Sequence, residues 1–354
     1  MTVSGKDTGR LDLPASGAGS LDNIPAGLDY RQFQGGVDDL VIAVVIPCFR
    51  VKKHIVGVID RIGLEVSLIY VVDDACPEQT GAYVEENLTD PRVRVLFNEK
   101  NKGVGGAVVA GYRQALLDGA SIVVKIDGDG QMDPALLPKF VNPLLTGQAD
   151  YTTGNRFYYP EDVREMPRVR LIGNSILSFL AKVSTGYWDV FDPTNGYTAI
   201  DSRVLAALPL DEIDQRYFFE SDMLFRLNTL RATVVDIPMR AQYAEEKSNL
   251  KIPNIVWPFL KGYSRNLVKR IFYNYYLRDF SIASVELILG IILLLFGVGF
   301  GVSEWAQGVA INKPASAGTV MLSALPIIIG FQLLLSFLNY DMSSVPKLPI
   351  SPRL

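Results

Sequence analysis

From residue 40 onward the chain alternates short apolar runs, rich in β-branched residues, with stretches of helical spacing. Leu40 to Ile46, Ser67 to Val72, Val93 to Phe97 and Ile122 to Ile126 read as buried strands. Between them, Lys53 to Ile62, Glu78 to Asn87 and Gly103 to Leu117 read as helices, the last closed by Asp118-Gly119. Such alternation predicts an α/β fold, a mostly parallel sheet flanked by helices on both faces. Further along, Tyr151 to Asn155 and Thr233 to Ile237 add strands, and Phe218 to Leu230 adds a helix carrying Glu220 and Asp222. Asp192-Pro193-Thr194-Asn195-Gly196 is turn chemistry ahead of another strand. Tyr159 to Arg170 is rich in Pro and charge and predicts a mobile loop, with Arg164, Arg168 and Arg170 on it. Ile172 to Val183 predicts a helix lying near a membrane.

The pattern changes character after residue 252. Ile255 to Arg278 mixes aromatics with Lys261, Arg265, Lys269, Arg270 and Arg278, a composition suited to a bilayer's headgroup layer. Ile282 to Val302 and Gly318 to Leu338 are almost continuously apolar and long enough to span, the second bent at Pro326. Basic residues crowd before the first span and follow the second, which puts the large domain and both chain ends in the cytoplasm of a multi-pass inner-membrane protein. Residues 1–38 are rich in Gly, Ser, Asp and Pro without apolar periodicity, and they lack the apolar core of a secretion signal. The expected organisation is a disordered tail (1–38), a globular domain (39–252), interfacial amphipathic helices (253–280), two transmembrane helices (281–340) and a cytoplasmic tail (341–354).

Composition narrows the chemistry. A net charge of −4 argues against a nucleic-acid partner. The two cysteines, Cys48 and Cys76, each beside a strand end, suggest neither a disulfide framework nor a zinc site. A single histidine, His54, falls in a surface helix, so the mechanism should need no histidine base. In open α/β sheets ligands bind beyond the carboxyl ends of the strands. Pro47, Asp73-Asp74, Asn98-Glu99 and Asp127-Asp129 fall there, giving one acid-lined crevice. Alternation along an extended chain would converge Asp127, Asp129 and Gln131 on one point, a set of oxygens suited to a hard divalent cation. A helix-loop-helix calcium site fails, because its sixth and twelfth positions hold Met132 and Pro138. The Gly103-Val104-Gly105-Gly106 run lacks the glycine a dinucleotide fingerprint needs at Val108.

Taken in order, Val44-Val45-Ile46-Pro47-Cys48-Phe49, Val71-Val72-Asp73-Asp74, Asn101 to Ala107 and Asp127-Gly128-Asp129-Gly130-Gln131-Met132-Asp133-Pro134 resemble the inverting glycosyltransferases of family 2, with a GT-A fold. With two C-terminal spans the chain is similar to the polyprenyl-phosphate glycosyltransferases related to dolichol-phosphate mannosyltransferase, over about residues 40–340. The resemblance implies metal-dependent transfer of a hexose from a nucleotide sugar, UDP-glucose-like by preference, to polyprenyl phosphate at the bilayer surface, and it leaves self-association open. By similarity Pro47, Phe49 and Asp73 border the nucleoside, with Asp74 and Asp127 nearby, and the helix start at Gly103 packs its backbone next to the nucleotide. Asp127, Asp129 and Gln131 match the segment that holds Mg2+ or Mn2+. Arg156 matches an arginine that holds phosphate near the acceptor, and Lys247-Ser248 a loop that contacts the diphosphate. Departures stand at Arg50-Val51 in place of Asn-Glu, at Ala75-Cys76-Pro77 in place of Gly-Ser, and at Glu246-Lys247-Ser248-Asn249, which lacks a preceding Arg. A hydroxyl acceptor would require a carboxylate base, with Asp222 or Glu220 as the candidate. A non-catalytic membrane scaffold is the remaining alternative.

Overall fold

The computed structural model describes residues 40–161, 168–240 and 252–354. Seven strands form one sheet: β1 (Ile42–Cys48), β2 (Leu68–Asp73), β3 (Val93–Phe97), β4 (Ile122–Lys125), β5 (Tyr151–Asn155), β6 (Thr198–Asp201) and β7 (Val234–Pro238). Their spatial order is β3-β2-β1-β4-β6-β5-β7. All pairs are parallel except those of β6, which runs antiparallel to both β4 and β5. All seven residues of β1 are buried, as expected of a strand covered on both faces. Ala43 and Val45 pack into one core with Tyr70, Val72 and Tyr112, while Ile42, Val44 and Ile46 pack into the other with Ile55, Val58 and Val71. Each such aliphatic side chain contributes roughly 1.5–3 kcal/mol by leaving water.

The helices of this domain are α1 (Ile55–Ile59), α2 (Thr80–Asn87), α3 (Val104–Leu117), α4 (Leu137–Leu145), α5 (Arg168–Thr185), α6 (Ser202–Ala207) and α7 (Phe219–Leu230). Pro134 begins a 3-10 turn that leads into α4, with the Asp133 carboxylate capping Ala135 N–H. The order of the sheet reverses between β1 and β4, so the crevice above their carboxyl ends is the switch point at which such sheets bind ligands.

The C-terminal third consists of α8 (Ile252–Phe272), a π-helical turn (Tyr273–Arg278), α9 (Ile282–Ala310) and α10 (Ala317–Ser343). At the start of α9 the Ser281 N–H donates to Ser284 Oγ, and Ser316 caps α10 by accepting from Thr319 N–H. Both helices are long and apolar enough to cross a membrane. Their outward side chains stay exposed, Leu295 at 68% and Ile328 at 63%. Between them Ser323 Oγ donates to the Gly297 carbonyl, and Ser336 Oγ to Glu286 at 2.8 Å.

Two expectations are corrected here. Arg270 does not face a headgroup layer. It is buried and bonded through its guanidinium to Asp341 and to the carbonyls of Val183 and Ser184. The residues after 341 are not a free tail either. Val345 packs into the domain core, and the Ile350 and Ser351 N–H groups donate to the buried carboxylate of Asp150 at 2.8–3.0 Å.

Candidate active site

Residues at the carboxyl ends of β1 and β2 shape the near side of the crevice. Asp73 ends β2, and its two oxygens accept from Cys76 N–H at 2.6 Å and Gly81 N–H at 2.7 Å. Asp74 accepts from Lys102 N–H at 2.9 Å, Gly103 N–H at 2.8 Å and Asn98 Nδ2 at 2.8 Å. Both carboxylates are buried, so they fix the loops that lead into α2 and α3. Phe49, one residue past β1, is 43% exposed, with the Arg50 guanidinium over its ring. Cys48 and Cys76 are buried free thiols. Cys76 Sγ accepts from Arg50 N–H, and burial pushes the Cys48 thiol well above its usual range.

The acidic stretch departs from the extended geometry expected of it. β4 stops at Lys125, and residues 126–133 form a turn-rich loop, because Gly128 and Gly130 break the strand. Asp127 instead pairs with Lys125 Nζ at 2.9 Å, and Asp129 accepts its own loop's Gln131 N–H at 3.0 Å. Lys125 is completely buried and bonds Glu220 of α7 at 3.0 Å on its other side. Burial alone would lower the lysine's pKa, but Asp127 and Glu220 outweigh it and hold the ammonium above its usual range. For Glu220 the balance is reversed: burial raises its pKa although Lys125 pulls it down.

The far side is built from β5 and the loop before β6. Arg156 follows β5, and its guanidinium forms two bonds to Asp192, at 2.7 Å and 3.0 Å. Asp192 is buried, also accepts from Asn195 Nδ2, and leaves Arg156 a third exposed toward the crevice. The same loop turns back at Gly196, where a Cβ would come within 2.3 Å of Asp127 Oδ2 and 2.7 Å of Lys125 Nζ. Only glycine lets this backbone lie against the acidic loop, and the contact joins Asp127 to the loop that carries Asp192, the partner of Arg156. Beneath it, Asp236 of β7 accepts from Asn155 Nδ2 and Phe191 N–H. Burial, with Asp192 and Asp189 nearby, lifts its pKa to about 7.

The structure places the other candidate residues one by one. Asp222 cannot serve as a base: it is fully buried and bonded to Arg226, Asn266 and the Asp214 N–H. Glu220 is tied to Lys125 instead. His54 is exposed at the start of α1, as expected of a surface position, and its Cβ neighbours Gly130 at the rim of the acidic loop. Arg168 opens α5, while Arg164, Lys247 and Ser248 lie outside the described residues. Lys125 and Asp192 were missed. A lysine inside an otherwise apolar strand was the available signal for the first, and Asp192 read only as turn chemistry.

Among the described residues no three His, Cys, Asp or Glu side chains gather as a metal cluster. The site still suits Mg2+ or Mn2+, which are often held by one or two carboxylates together with substrate phosphates, as Asp127 and Asp129 can offer.

The family model for glycosyl transferase family 2 matches residues 43–208. An undecaprenyl-phosphate mannosyltransferase of Micrococcus luteus is 33% identical over 173 residues, 48% of this chain and 70% of that protein. The chain belongs to glycosyltransferase family 2. Another relative is a UDP-N-acetylglucosamine–dolichyl-phosphate N-acetylglucosaminyltransferase of Methanococcus voltae, 28% identical over 58% of this chain and 88% of that protein. A solved structure of glucosyl-3-phosphoglycerate synthase from Mycobacterium tuberculosis, in complex with Mn2+, UDP-glucose and phosphoglyceric acid, aligns at 20% identity with a TM-score of 0.49, covering 66% of this chain and 80% of that one. As a family 2 enzyme of GT-A type, the chain carries its matched segment from β1 through α6, the part that builds the crevice.

Proposed function

We propose that this glycosyltransferase moves one hexose from a nucleotide sugar, UDP-glucose-like by preference, to a polyprenyl phosphate at the cytoplasmic face of the cytoplasmic membrane. The observation that carries the proposal is the contact of Gly196 with Asp127, which joins the acidic loop to the loop whose Asp192 holds Arg156, an arginine with an exposed edge. A donor diphosphate and an acceptor phosphate both need a place, and this crevice offers one of each kind side by side. Relatives named for undecaprenyl phosphate and dolichyl phosphate support the acceptor class. The domain organisation fits: residues 39–252 carry the chemistry, residues 253–280 lie at the interface, and α9 and α10 anchor the chain in the bilayer.

The acceptor phosphate is already ionised at neutral pH. One of its oxygens attacks the anomeric carbon from the face opposite the leaving group, a carbon–oxygen bond forms, and the bond to the nucleoside diphosphate breaks with its electron pair. No proton has to move, in keeping with the engagement of Asp222 and Glu220 in internal ion pairs. Arg156, aimed by Asp192, orients the acceptor phosphate. Pro47, Phe49 and the loops fixed by Asp73 and Asp74, with Gly103, border the nucleoside, and Lys247-Ser248 meets the diphosphate. A cation held by Asp127 and Asp129, with Gln131 beside them, would neutralise charge on the departing diphosphate.

The test is transfer by the purified full chain from a panel of radiolabelled UDP- and GDP-sugars, with Mg2+ or Mn2+, to polyprenyl phosphate or to the corresponding polyprenol. Label entering lipid only when the acceptor carries phosphate supports the proposal. Equal transfer to the free alcohol would establish the hydroxyl-acceptor alternative, and no transfer from any donor would favour a scaffold.

A further inference from the structure

Where α9 and α10 leave the globular domain, a hollow of about 40 Å³ opens beside the π-helical turn. Gly186, Asn228, Arg231, Asn274, Arg278 and Asp341 are among its walls. We infer that this hollow binds the phosphodiester of a bilayer phospholipid, a site separate from the transfer crevice.

Charge is the first argument. Three guanidinium groups, those of Arg231, Arg270 and Arg278, reach the hollow, with the carboxylates of Asp279 and Asp341. Asp341 is fully engaged by Arg270, at 2.6 Å and 3.1 Å, so that pair carries no net charge outward. Arg278 is steered by one bond to the Thr229 carbonyl and lies over the Tyr273 ring. Arg231 makes no side-chain hydrogen bond or ion pair among the described residues. Two arginines against one exposed carboxylate, Asp279, leave a positive surplus suited to a phosphodiester.

The inner wall of the hollow is set by a buried amide pair. Asn274 is 9% exposed and lines the hollow; its Nδ2 donates to Asn228 Oδ1 at 2.9 Å, but its Oδ1 has no hydrogen-bond partner. That oxygen is closed off from solvent, so Asn274 shapes the wall while the arginines supply the ligand contacts. Gly186 keeps the wall thin. It sits at φ +79, and a Cβ there would come within 2.7 Å of Arg270 Nη1 and 3.0 Å of Asn228 Nδ2.

Position supplies the lipid, and this step rests on the reading that α9 and α10 lie in the bilayer. Arg278 and Asp279 directly precede α9, and Asp341 belongs to the last turn of α10, so the hollow sits where both helices end. It is not the transfer crevice. Glu220 lies at the start of α7 and Arg231 just past its end, about 16 Å apart at the helical rise.

The full chain in a non-ionic detergent would be unfolded thermally with dioctanoyl phosphatidylglycerol, with dioctanoylglycerol, or with inorganic phosphate. Phosphatidylglycerol should raise the midpoint by about 5 °C, and dioctanoylglycerol should not. In the double variant Arg231→Gln/Arg278→Gln the shift should vanish while the lipid-free midpoint and the transfer rate stay near wild type. An undiminished shift in that variant, or an equal shift with dioctanoylglycerol, overturns the site. A full shift with inorganic phosphate at the same concentration overturns the lipid assignment. Alkaline carbonate extraction of membranes tests the bilayer reading separately: release of the chain would remove that reading whatever the lipid titration gives.

Discussion

The guanidinium of Arg270 meets the carboxylate of Asp341 at 2.6 Å, 71 residues away in sequence, with both side chains 3% exposed. Tyr275 Oη and Trp188 Nε1 donate to the same carboxylate at 2.6 Å and 2.8 Å, so α8, the π turn, α10 and the loop after α5 meet at one buried charge. Arg270→Ala should therefore destabilise the chain by about 3–5 kcal/mol, because a buried carboxylate is left unpaired. Arg270→Leu combined with Asp341→Leu should recover most of that loss, since no orphan charge remains. Thermal unfolding in detergent checks both. A single variant as stable as wild type would mean that Tyr275 and Trp188 satisfy the buried carboxylate without the arginine.

Lys125 is the second buried charge whose partners define its role. Lys125→Met leaves Asp127 and Glu220 close together with nothing between them, and should reduce transfer roughly 10²-fold by misplacing Asp127. It should also change how stability depends on pH. Glu220, already raised by burial, would rise further, and a carboxyl whose folded pKa exceeds its unfolded one adds stability that is lost as pH climbs from the unfolded to the folded value. The variant should thus be closest to wild type near pH 4 and furthest from it at pH 8, as read from unfolding midpoints across that range.

Asp236 carries its own pH signature. Burial, reinforced by Asp192 and Asp189, lifts its pKa from 3.8 to about 7. Between those values the folded chain holds a proton that the unfolded chain has released, so this group's contribution to stability falls as pH rises from 4 to 7 and is gone above. Asp236→Asn keeps the acceptor oxygen for Asn155 and Phe191 and removes the titration. Its unfolding midpoint should come closest to wild type at or below pH 4 and exceed it at pH 8; a wild-type profile in the variant would show that the slope arises elsewhere.

Asp129→Ala tests the cation. The residue lies on a loop beyond β4 and holds little of the core, so stability should change by no more than about 0.5 kcal/mol. Transfer should be abolished, and binding of the nucleotide sugar in Mg2+ or Mn2+ should weaken. Near-normal turnover in this variant, or in wild type after exhaustive chelation, would remove Asp129 from the metal assignment.

Strands were legible because β-branched runs have few other uses, and β1, β2 and β3 lie within two residues of expectation. Pairings across the fold were not. Lys125 and Glu220 are 95 residues apart and Arg156 and Asp192 are 36 apart, distances over which a sequence pattern carries no register. Arg270 was misread for a physical reason. An amphipathic helix with basic residues looks the same whether its polar side meets lipid headgroups or the carbonyl end of another helix, and only the partner Asp341 decides. The acidic loop was misread because alternation holds only while the chain stays extended, and two glycines end that at Lys125.

Asp150 accepts from Ile350 and Ser351, and also from Thr233 N–H, so chain emerging from α10 is clamped onto the sheet 200 residues upstream. The helical hairpin is consequently bolted to the globular body at both its entry, through α8, and its exit. A single attachment would act as a swivel, whereas two act as a bracket. With the hairpin upright in a bilayer, a bracket sets the height of the crevice above the membrane plane, so the enzyme would select its acceptor partly by how far a phosphate stands out of the lipid.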